Sequence, residues 1–265
     1  MEKIHVIKIG GNVIDHPEKL RSFLADFSHL KGMKILVHGG GKIATEMSKT
    51  LGIVPQMVDG RRITDDETLK VVTMIYAGLI NKNIVAQLQT LHCNAIGLCG
   101  ADGNLIPAQK RIKGDIDYGW VGDPIEIKEP HPLLTALLKE NTVPVFPAIT
   151  HDQQGHLLNT NADTIAATLA IRLASSFETH LVYCFEKKGV LKDVNDENSV
   201  IHFIDPHNFQ QLKQEHIIFE GMIPKLENAF DAIHKGVKTV RIGLADDLLQ
   251  LNQGENFGTC LKPLA

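Results

Sequence analysis

Ile4-His5-Val6-Ile7-Lys8-Ile9-Gly10-Gly11-Asn12 stands at the start of the chain, an apolar run that carries one lysine and ends in two glycines. The β-branched residues predict a strand, and the glycines predict a turn after it. Glycines at a strand-to-helix turn let the backbone approach a ligand closely, and the positive end of a following helix favours an anion. With Lys8 beside the turn, this stretch predicts a site for phosphate or carboxylate chemistry.

A second stretch has the same arrangement. Lys34-Ile35-Leu36-Val37-His38-Gly39-Gly40-Gly41-Lys42 joins another apolar run to three glycines and a helix-like segment. It matches neither the GxGxxG turn that a nicotinamide oxidoreductase needs nor the GxxxxGK[ST] loop of P-loop enzymes. Three glycines could simply allow a helix to pack on a strand, but their N–H groups also suit a carboxylate or a phosphate. We favour the ligand-binding interpretation.

Short apolar strands and amphipathic helices alternate along the rest of the chain. Strands are predicted over residues 4–9, 34–37, 95–98, 143–146, 181–184 and 239–242, and helices over 17–30, 42–51, 65–91, 132–140, 162–174, 223–234 and 245–251. This alternation predicts a mostly parallel sheet covered by helices on both faces. Residues 104–128 break the alternation and predict a hairpin insertion near a site. The polar turn at 150–155 has no linker composition, so we expect one domain with two functional halves.

Composition limits the classes of function. The 265 residues carry a net charge of −4 and 5% aromatic residues, so we expect neither a nucleic acid nor a membrane surface as partner. Four cysteines without a CxxC pair predict free thiols in a reducing compartment. The chain begins directly with a strand and has no apolar run that we expect to span a bilayer, which predicts a cytoplasmic protein. Thirteen histidines show no ligand spacing, so we assign no metal to protein side chains.

Four further residues are candidates for binding or catalysis. Arg62 belongs to a pair of adjacent arginines, and one guanidinium of such a pair could hold a carboxylate in a bidentate manner. Asn159 and Asp163 are four apart and would share one face of a helical turn, where an acid could orient basic groups or hold the water shell of magnesium. Lys225 would lie in the first turn of a helix, where the macrodipole disfavours a cation.

These segments, in this order, resemble the amino acid kinase family. The matching segments are KIGG (8–11), HGGG (38–41), GRRIT (60–64), GLCGADGNLI (97–106), YGWVGD (118–123), NTNAD (159–163), GMIPK (221–225) and NFGT (256–259). Each is weak alone, but eight in family order along the whole chain are specific. The compact length and the GRRIT segment favour the branch that uses ATP to phosphorylate the γ-carboxylate of N-acetyl-L-glutamate, the second step of arginine synthesis.

The resemblance implies a fold and a division of labour. The fold would be a three-layer αβα sandwich around a mainly parallel eight-stranded sheet. Residues from about 1 to 150 would bind the acyl amino acid, and residues from about 151 to 265 would bind ATP. Magnesium would be held through phosphates and water.

The resemblance also implies catalytic and nucleotide-binding residues. Lys8 and Lys225 would stabilise the transferring phosphoryl group, and Asp163 would orient both. The nucleotide-binding residues would be Gly10, Gly11, Glu186, Lys187, Lys188, Gly189, Val190, Leu191, Ile217, Ile218 and Phe219. Catalysis would then consist of positioning and charge neutralisation, without a covalent nucleophile.

The acyl amino acid would be held by residues from both halves. Gly40 and Gly41 would contact it, Arg62 would hold its α-carboxylate, and Asn159 would bind the region of its acylated amine.

The chain also departs from the family pattern. Phe185-Glu186-Lys187-Lys188-Gly189 stands where relatives commonly carry a threonine- or serine-aspartate pair, so the nucleotide contacts around Glu186 stay open. Arginine-inhibited members have an extra N-terminal helix that mediates hexamer formation, and from its absence here we expect a homodimer. The alternatives are the same reaction on N-succinyl-L-glutamate, or a non-catalytic sensor. Retention of Lys8, Asp163 and Lys225 argues against the sensor.

Overall fold

A computed structural model describes residues 1–58, 61–112, 116–218, 222–254 and 257–263. Phe219 lies outside the described residues, as do Gly60, Gly114, Gly221 and Asn256 of the motif segments. The strands are β1 (Lys3–Ile9), β2 (Met33–His38), β3 (Met57–Val58), β4 (Arg61–Arg62), β5 (Ala95–Gly97), β6 (Ala108–Lys110), β7 (Gly122–Pro124), β8 (Val143–Phe146), β9 (Ile149–His151), β10 (Leu157–Asn159), β11 (Glu178–Phe185), β12 (Phe203–Ile204), β13 (Thr239–Leu244) and β14 (Thr259–Leu261).

Eight of these strands form one central sheet, in the order β12-β14-β13-β11-β1-β2-β8-β5. All neighbouring pairs are parallel except β13 with β14, which is antiparallel. This confirms the mainly parallel eight-stranded sheet. β1 lies at the centre because its side chains are apolar on both faces, and Ile4, Val6, Ile7 and Ile9 are all fully buried. A strand buried on both faces requires helices on both sides of the sheet.

The helices form two groups that pack against different parts of the sheet. They are α1 (Gly11–Ile14), α2 (Pro17–His29), α3 (Gly41–Thr50), α4 (Asp66–Thr73), α5 (Asn81–Thr90), α6 (Pro132–Lys139), α7 (Ala162–Leu173), α8 (Pro206–Gln214) and α9 (Ile223–His234). In one group α2 contacts α5 and the 3-10 segment Ala245–Gln253, and in the other α7 contacts α9. The chain is therefore an α/β protein, as predicted.

The long helix predicted over 65–91 is not regular. A π-helical segment, Met74–Ile80, joins α4 to α5. Length and composition alone would let the continuous helix Asp66–Thr90 cross a membrane, so the expectation that no such segment exists was wrong on those criteria. This is weak evidence for a span, because core helices pass the same test, and Val72, Ile84 and Leu88 on this helix are fully buried against the rest of the protein.

Three small antiparallel hairpins accompany the central sheet. They are β3 with β4, β6 with β7, and β9 with β10. The β6–β7 pair confirms the hairpin predicted within 104–128. The segment at 150–155 is not only a turn, because it connects β9 to β10. Asn159 therefore ends a strand while Asp163 lies in α7, and the prediction that they share a helical face was wrong.

Candidate active site

The carboxyl ends of the central strands bring the two glycine-rich turns side by side. In the parallel register, Ile9 at the end of β1 pairs with His38 at the end of β2 and with Cys184 near the end of β11. Gly10 and Gly11 follow the first of these ends, and the triplet that starts at Gly39 follows the second. Ligands of open α/β sheets bind at this edge, in the crevice beyond the strands.

Lys8 and Asp163 form an ion pair at this edge, with the Lys8 Nζ 2.7 Å from Asp163 Oδ1. Asp163 is in the first turn of α7, where the side chain of Asn161 caps the helix by accepting hydrogen bonds from the N–H groups of Asp163 (2.8 Å) and Thr164 (3.2 Å). The buried Tyr183 hydroxyl donates a hydrogen bond to the Asp163 carbonyl at 3.3 Å. The helix start is thus fixed from two sides, and the carboxylate is held beside Lys8.

Lys225 lies near this pair, in the first turn of α9. Burial lowers the pKa of its ammonium, the Asp163 carboxylate raises it, Lys8 lowers it and Glu186 raises it, in decreasing order of effect. The Lys225 Nζ is 4.1 Å from the centroid of the Phe185 ring. The two lysines therefore lie beside the Asp163 carboxylate, and the Glu186 carboxylate acts on Lys225 from farther away.

A cavity of about 240 Å³ opens beside this cluster. Its wall includes the glycine triplet, the strand that carries Arg62, and the chain from Asn159 to Ala162, and its residues are Gly39, Gly40, Gly41, Met57, Arg62, Tyr76, Val121, Ala148, Asn159, Thr160, Asn161 and Ala162. Gly40 has φ +149°, and a Cβ there would collide with Ile80 and Tyr76 of the π-helical segment. Only glycine fits this turn, because it must follow the surface of the long helix.

Arg62 holds its guanidinium against the wall of this cavity. Nη2 donates to the Gly41 carbonyl at 3.0 Å and to Thr45 Oγ1 at 2.7 Å. Nη1 is buried and has no hydrogen-bond partner among the described residues. Burial raises the pKa of the nearby Tyr76 hydroxyl, and the charge of Arg62 opposes that rise. A buried guanidinium with an unused donor needs an acceptor, and an anionic ligand would supply one.

Asn159 connects the wall of the cavity to the hairpin insertion. Its side-chain Nδ2 donates to Thr64 Oγ1 at 3.0 Å, and its backbone N–H donates to the Trp120 carbonyl at 2.8 Å. The backbone N–H of Trp120 in turn donates to the Thr64 carbonyl at 2.6 Å. The three segments are therefore held together around the cavity mouth.

Two buried polar residues, His38 and Asn81, hold the glycine triplet in place. His38 Nδ1 donates to the Gly39 carbonyl at 2.9 Å, and His38 Nε2 accepts a hydrogen bond from Asn81 Nδ2 at 3.1 Å. Complete burial lowers the pKa of His38 to about 4, so the ring is neutral at physiological pH. Both ring nitrogens are used, which makes this histidine a structural support.

The predicted nucleotide residues lie partly at the surface and partly in the core. Glu186 and Lys188 are exposed, and the Lys187 Nζ is 3.4 Å from a Glu197 carboxylate oxygen. Val190 and Ile218 are 2% and 4% exposed, so only their backbones could reach a ligand. A Cβ on Gly189 would approach the Thr259 hydroxyl to 2.7 Å, and the same hydroxyl accepts a hydrogen bond from the Val190 N–H. This segment is packed against β14.

The structure thus brings the predicted residues into two adjoining groups. Lys8, Asp163 and Lys225 form the charged cluster, and Gly40, Gly41, Arg62 and Asn159 lie at the cavity. Tyr76, Thr45 and Phe185 were not predicted as site residues. Tyr76 and Thr45 lie outside the motif segments, and only their tertiary contact with Arg62 reveals them. No three acidic, histidine or cysteine side chains among the described residues form a group that could hold a metal ion.

Comparison with known proteins agrees with this architecture. Residues 3–243 match the model of the amino acid kinase family. The chain belongs to the amino acid kinase family. A family member from Cytophaga hutchinsonii, named acetylglutamate kinase, is 57% identical over 98% of this chain and 99% of its own length. One from Parabacteroides distasonis with the same name is 54% identical over 94% of this chain and 97% of its own.

Solved structures share the fold at lower identity. N-acetylglutamate synthase from Neisseria gonorrhoeae, complexed with coenzyme A and N-acetyl-glutamate, superposes with a TM-score of 0.80. The match covers all of this chain and 60% of that chain at 20% identity, so it supports the fold alone. The family resemblance predicted from the sequence is confirmed.

Proposed function

We propose that the protein is an ATP-dependent kinase that phosphorylates the γ-carboxylate of N-acetyl-L-glutamate. A carboxylate oxygen of the substrate attacks the γ-phosphorus of ATP, and the bond from that phosphorus to the β,γ-bridging oxygen breaks. The products are N-acetyl-L-glutamyl 5-phosphate and ADP, which leaves with the electron pair. The names of the relatives that match almost the full chain support this activity.

One observation carries the proposal: a cluster of two lysines and one carboxylate adjoins a cavity that contains a buried, incompletely bonded arginine. Lys8 and Lys225 are proposed to neutralise the charge on the transferring phosphoryl group, and Asp163 to orient them. The carboxylate substrate is itself the nucleophile, so the site needs no general base. Catalysis rests on holding two anionic reactants together against their repulsion.

The cavity is proposed to bind the acyl amino acid. Arg62 would hold the α-carboxylate with its free Nη1, because an ionised acceptor there satisfies a buried donor. Asn159 would contact the acylated amine, and the backbone of Gly40 and Gly41 would border the side-chain carboxylate. These residues come from segments far apart in the sequence. The cavity is lined by residues 159–162 as well as by residues before 150, so the amino-terminal portion does not form it alone.

ATP is proposed to lie over the ends of β1 and β11. Gly10 and Gly11 would face the phosphates, and the segments 186–191 and 217–218 would border the adenosine, with the buried members contributing only backbone. Because the described residues offer no cluster of ligands for a metal, magnesium would arrive on the phosphates and keep most of its water. It would supply additional neutralisation of phosphate charge.

We propose that the protein acts in the cytoplasm as a homodimer. Met74 and Leu79 on the long helix are 54% and 47% exposed, and large apolar side chains at neighbouring turns of one helix suit contact with a second copy. Sedimentation equilibrium measures the mass directly. A monomeric mass at micromolar concentration would contradict the dimer.

Formation of an acyl phosphate tests the function. The purified protein is incubated with ATP and magnesium, and the product is trapped with hydroxylamine as a hydroxamate. N-acetyl-L-glutamate, N-succinyl-L-glutamate, L-glutamate and L-aspartate are compared. We expect hydroxamate from the acetyl compound at a far higher kcat/KM than from the other three. A preference for the succinyl compound would transfer the proposal to that substrate, and ATP binding without turnover on any of them would overturn the kinase assignment.

A further inference from the structure

Phe185 lies beside both lysines of the charged cluster. Its ring centroid is 4.1 Å from the Lys225 Nζ and 5.7 Å from the Lys8 Nζ. Both distances are within the range in which an ammonium group is attracted by the negative face of an aromatic ring. The half-buried position of the ring excludes part of the water that would otherwise weaken this attraction.

The two lysines differ in what else they contact. Lys8 has its own ion pair with Asp163 at 2.7 Å. For Lys225, no described carboxylate or carbonyl oxygen lies within ion-pair or hydrogen-bond distance of the ammonium, and Asp163 and Glu186 act on it only from farther away. The ring of Phe185 therefore contacts the Lys225 ammonium directly, whereas both carboxylates act on it from beyond ion-pair distance.

The surroundings of Phe185 hold the ring in place. Phe185 is the last residue of β11, and its ring packs on that of Tyr183 with centroids 6.2 Å apart. Tyr183 is buried, and its hydroxyl donates to the backbone carbonyl of Asp163. The position of the ring is thus linked to the same helix start that positions the catalytic carboxylate.

We propose that Phe185 is a positioning residue that holds the Lys225 ammonium at the phosphoryl-transfer site through a cation–π contact until the nucleotide binds. This inference rests on the proposed function. A ring suits the task better than a carboxylate would. It carries no net charge that would repel ATP, and its attraction is weak enough for Lys225 to exchange it for a phosphate oxygen.

Nuclear magnetic resonance tests the placement without any turnover. In protein with ¹³C-labelled lysine, we expect the ring current of Phe185 to shift the Hε resonances of Lys225 upfield, with the signals assigned by their loss in Lys225→Arg. The shift should disappear in Phe185→Leu, which keeps an apolar side chain, and persist in Phe185→Tyr, which keeps the ring. It should also diminish when the magnesium complex of a non-hydrolysable ATP analogue is added, because the analogue carries the γ-phosphoryl group that Lys225 is proposed to contact. Unshifted Lys225 signals in the parent protein would overturn the proposal.

Steady-state kinetics test the positioning role. Phe185→Leu should lower kcat about 3- to 30-fold, and Phe185→Tyr should restore it to within about twofold of the parent value. The alkaline limb of the kcat profile should move to lower pH in the leucine variant, because Lys225 loses a group that favours its charged form. The matched control is Phe203→Leu on the edge strand β12, which removes another lysine–ring contact. There the Lys262 Nζ is 4.9 Å from the ring centroid, and we expect neither kcat nor its pH profile to change.

The outcomes separate this inference from the proposed function. If none of the four acids is phosphorylated but the Lys225 signals still depend on the ring and respond to the ATP analogue, the function fails and the placement stands. If turnover is normal and Phe185→Leu raises only the KM for ATP, with weaker binding of AMP, then the ring stacks on the base, and the positioning role is overturned.

Discussion

Lys34 and Lys225 occupy opposite ends of the central sheet, and burial lowers the pKa of both ammonium groups. Lys34 is 6% exposed and donates three hydrogen bonds to backbone carbonyls at the end of α2, those of Phe27 (2.7 Å), Ser28 (2.9 Å) and Leu30 (2.7 Å). Lys225 has only a ring and more distant charges around it within the described part of the chain. Burial of charge is thus common to both ends.

The difference lies in whether the donors are used. At the amino end, every donor of the buried lysine has a carbonyl, and the group supports the end of a helix. At the carboxyl end, the buried Nη1 of Arg62 has no hydrogen-bond partner among the described residues, and the half-buried Lys225 ammonium contacts only a ring there. An unpaired buried donor costs stability, and a protein retains it where a ligand completes the bonding. For these two lysines, the use of the hydrogen-bond donors differs between the structural core and the candidate active site, whereas burial does not.

The largest expected effect comes from removing a point charge at the carboxyl end. Lys8→Arg should lower kcat about 100- to 1,000-fold, because a planar guanidinium cannot replace a compact ammonium beside the transferring phosphoryl group. The KM for both substrates and the melting temperature should change little. Rapid-quench measurement of acyl phosphate provides the rate. Near-normal turnover would remove Lys8 from the mechanism.

Arg62→Lys should weaken binding of the amino acid more than it slows the reaction. The KM for N-acetyl-L-glutamate should rise about 10- to 100-fold, since the charged hydrogen bond from Nη1 to the α-carboxylate is lost together with the contacts that hold the guanidinium in place. The KM for ATP serves as the internal control. A rise confined to ATP would show that Arg62 does not bind the amino acid carboxylate.

The corresponding change at the amino end should affect stability alone. Lys34→Met leaves two or three buried carbonyls without their donor and should lower the free energy of unfolding by about 1–3 kcal/mol. Urea denaturation measures this loss, and kcat at 20 °C should not change. Lys31→Met, at an exposed lysine on the same turn, is the matched control. Loss of kcat in a folded Lys34→Met protein would contradict the comparison.

A pH-dependent effect concerns one histidine at each end of the sheet. Burial lowers the pKa of His5 to about 3 and that of His38 to about 4, from 6.5 in the unfolded chain. Because the folded state keeps both rings neutral, their stabilisation is complete above pH 6.5 and is lost as the pH falls from there to about 4 for His38 and to about 3 for His5. Each contributes at most about 1.4 kcal/mol per pH unit. His5→Gln should reduce the slope of unfolding free energy against pH, and an unchanged slope would be contrary to this assignment.

Sequence patterns predicted the regular parts of the fold well. The predicted strands 4–9 and 143–146 agree with β1 and β8 to within one residue, because long apolar runs specify strands buried on both faces. β12, α8 and β14 were missed, since strands of two or three residues at a sheet edge have no periodicity and α8 buries only Phe209. The π-helical segment, which packs against Gly40, was also not predicted, because no local pattern distinguishes it from a regular helix.

The candidate site was predicted less completely. The motifs supplied Lys8, Asp163, Lys225 and Arg62, because glycine turns and the charges beside them are local signals. They could not distinguish a structural from a functional lysine. They also could not place Asn159 on a strand, because β9 and β10 form only as partners.

The sequence by itself determined the alternation of strands and helices, the two glycine turns and membership of the amino acid kinase family. Each of these features is specified by neighbouring residues or by the order of short segments along the chain. Only the tertiary structure decided which charges meet and which donors remain unused. Lys8, Asp163, Phe185 and Lys225 span more than 200 positions of the chain, and they lie close together because the register of the parallel strands brings the strand ends to one edge.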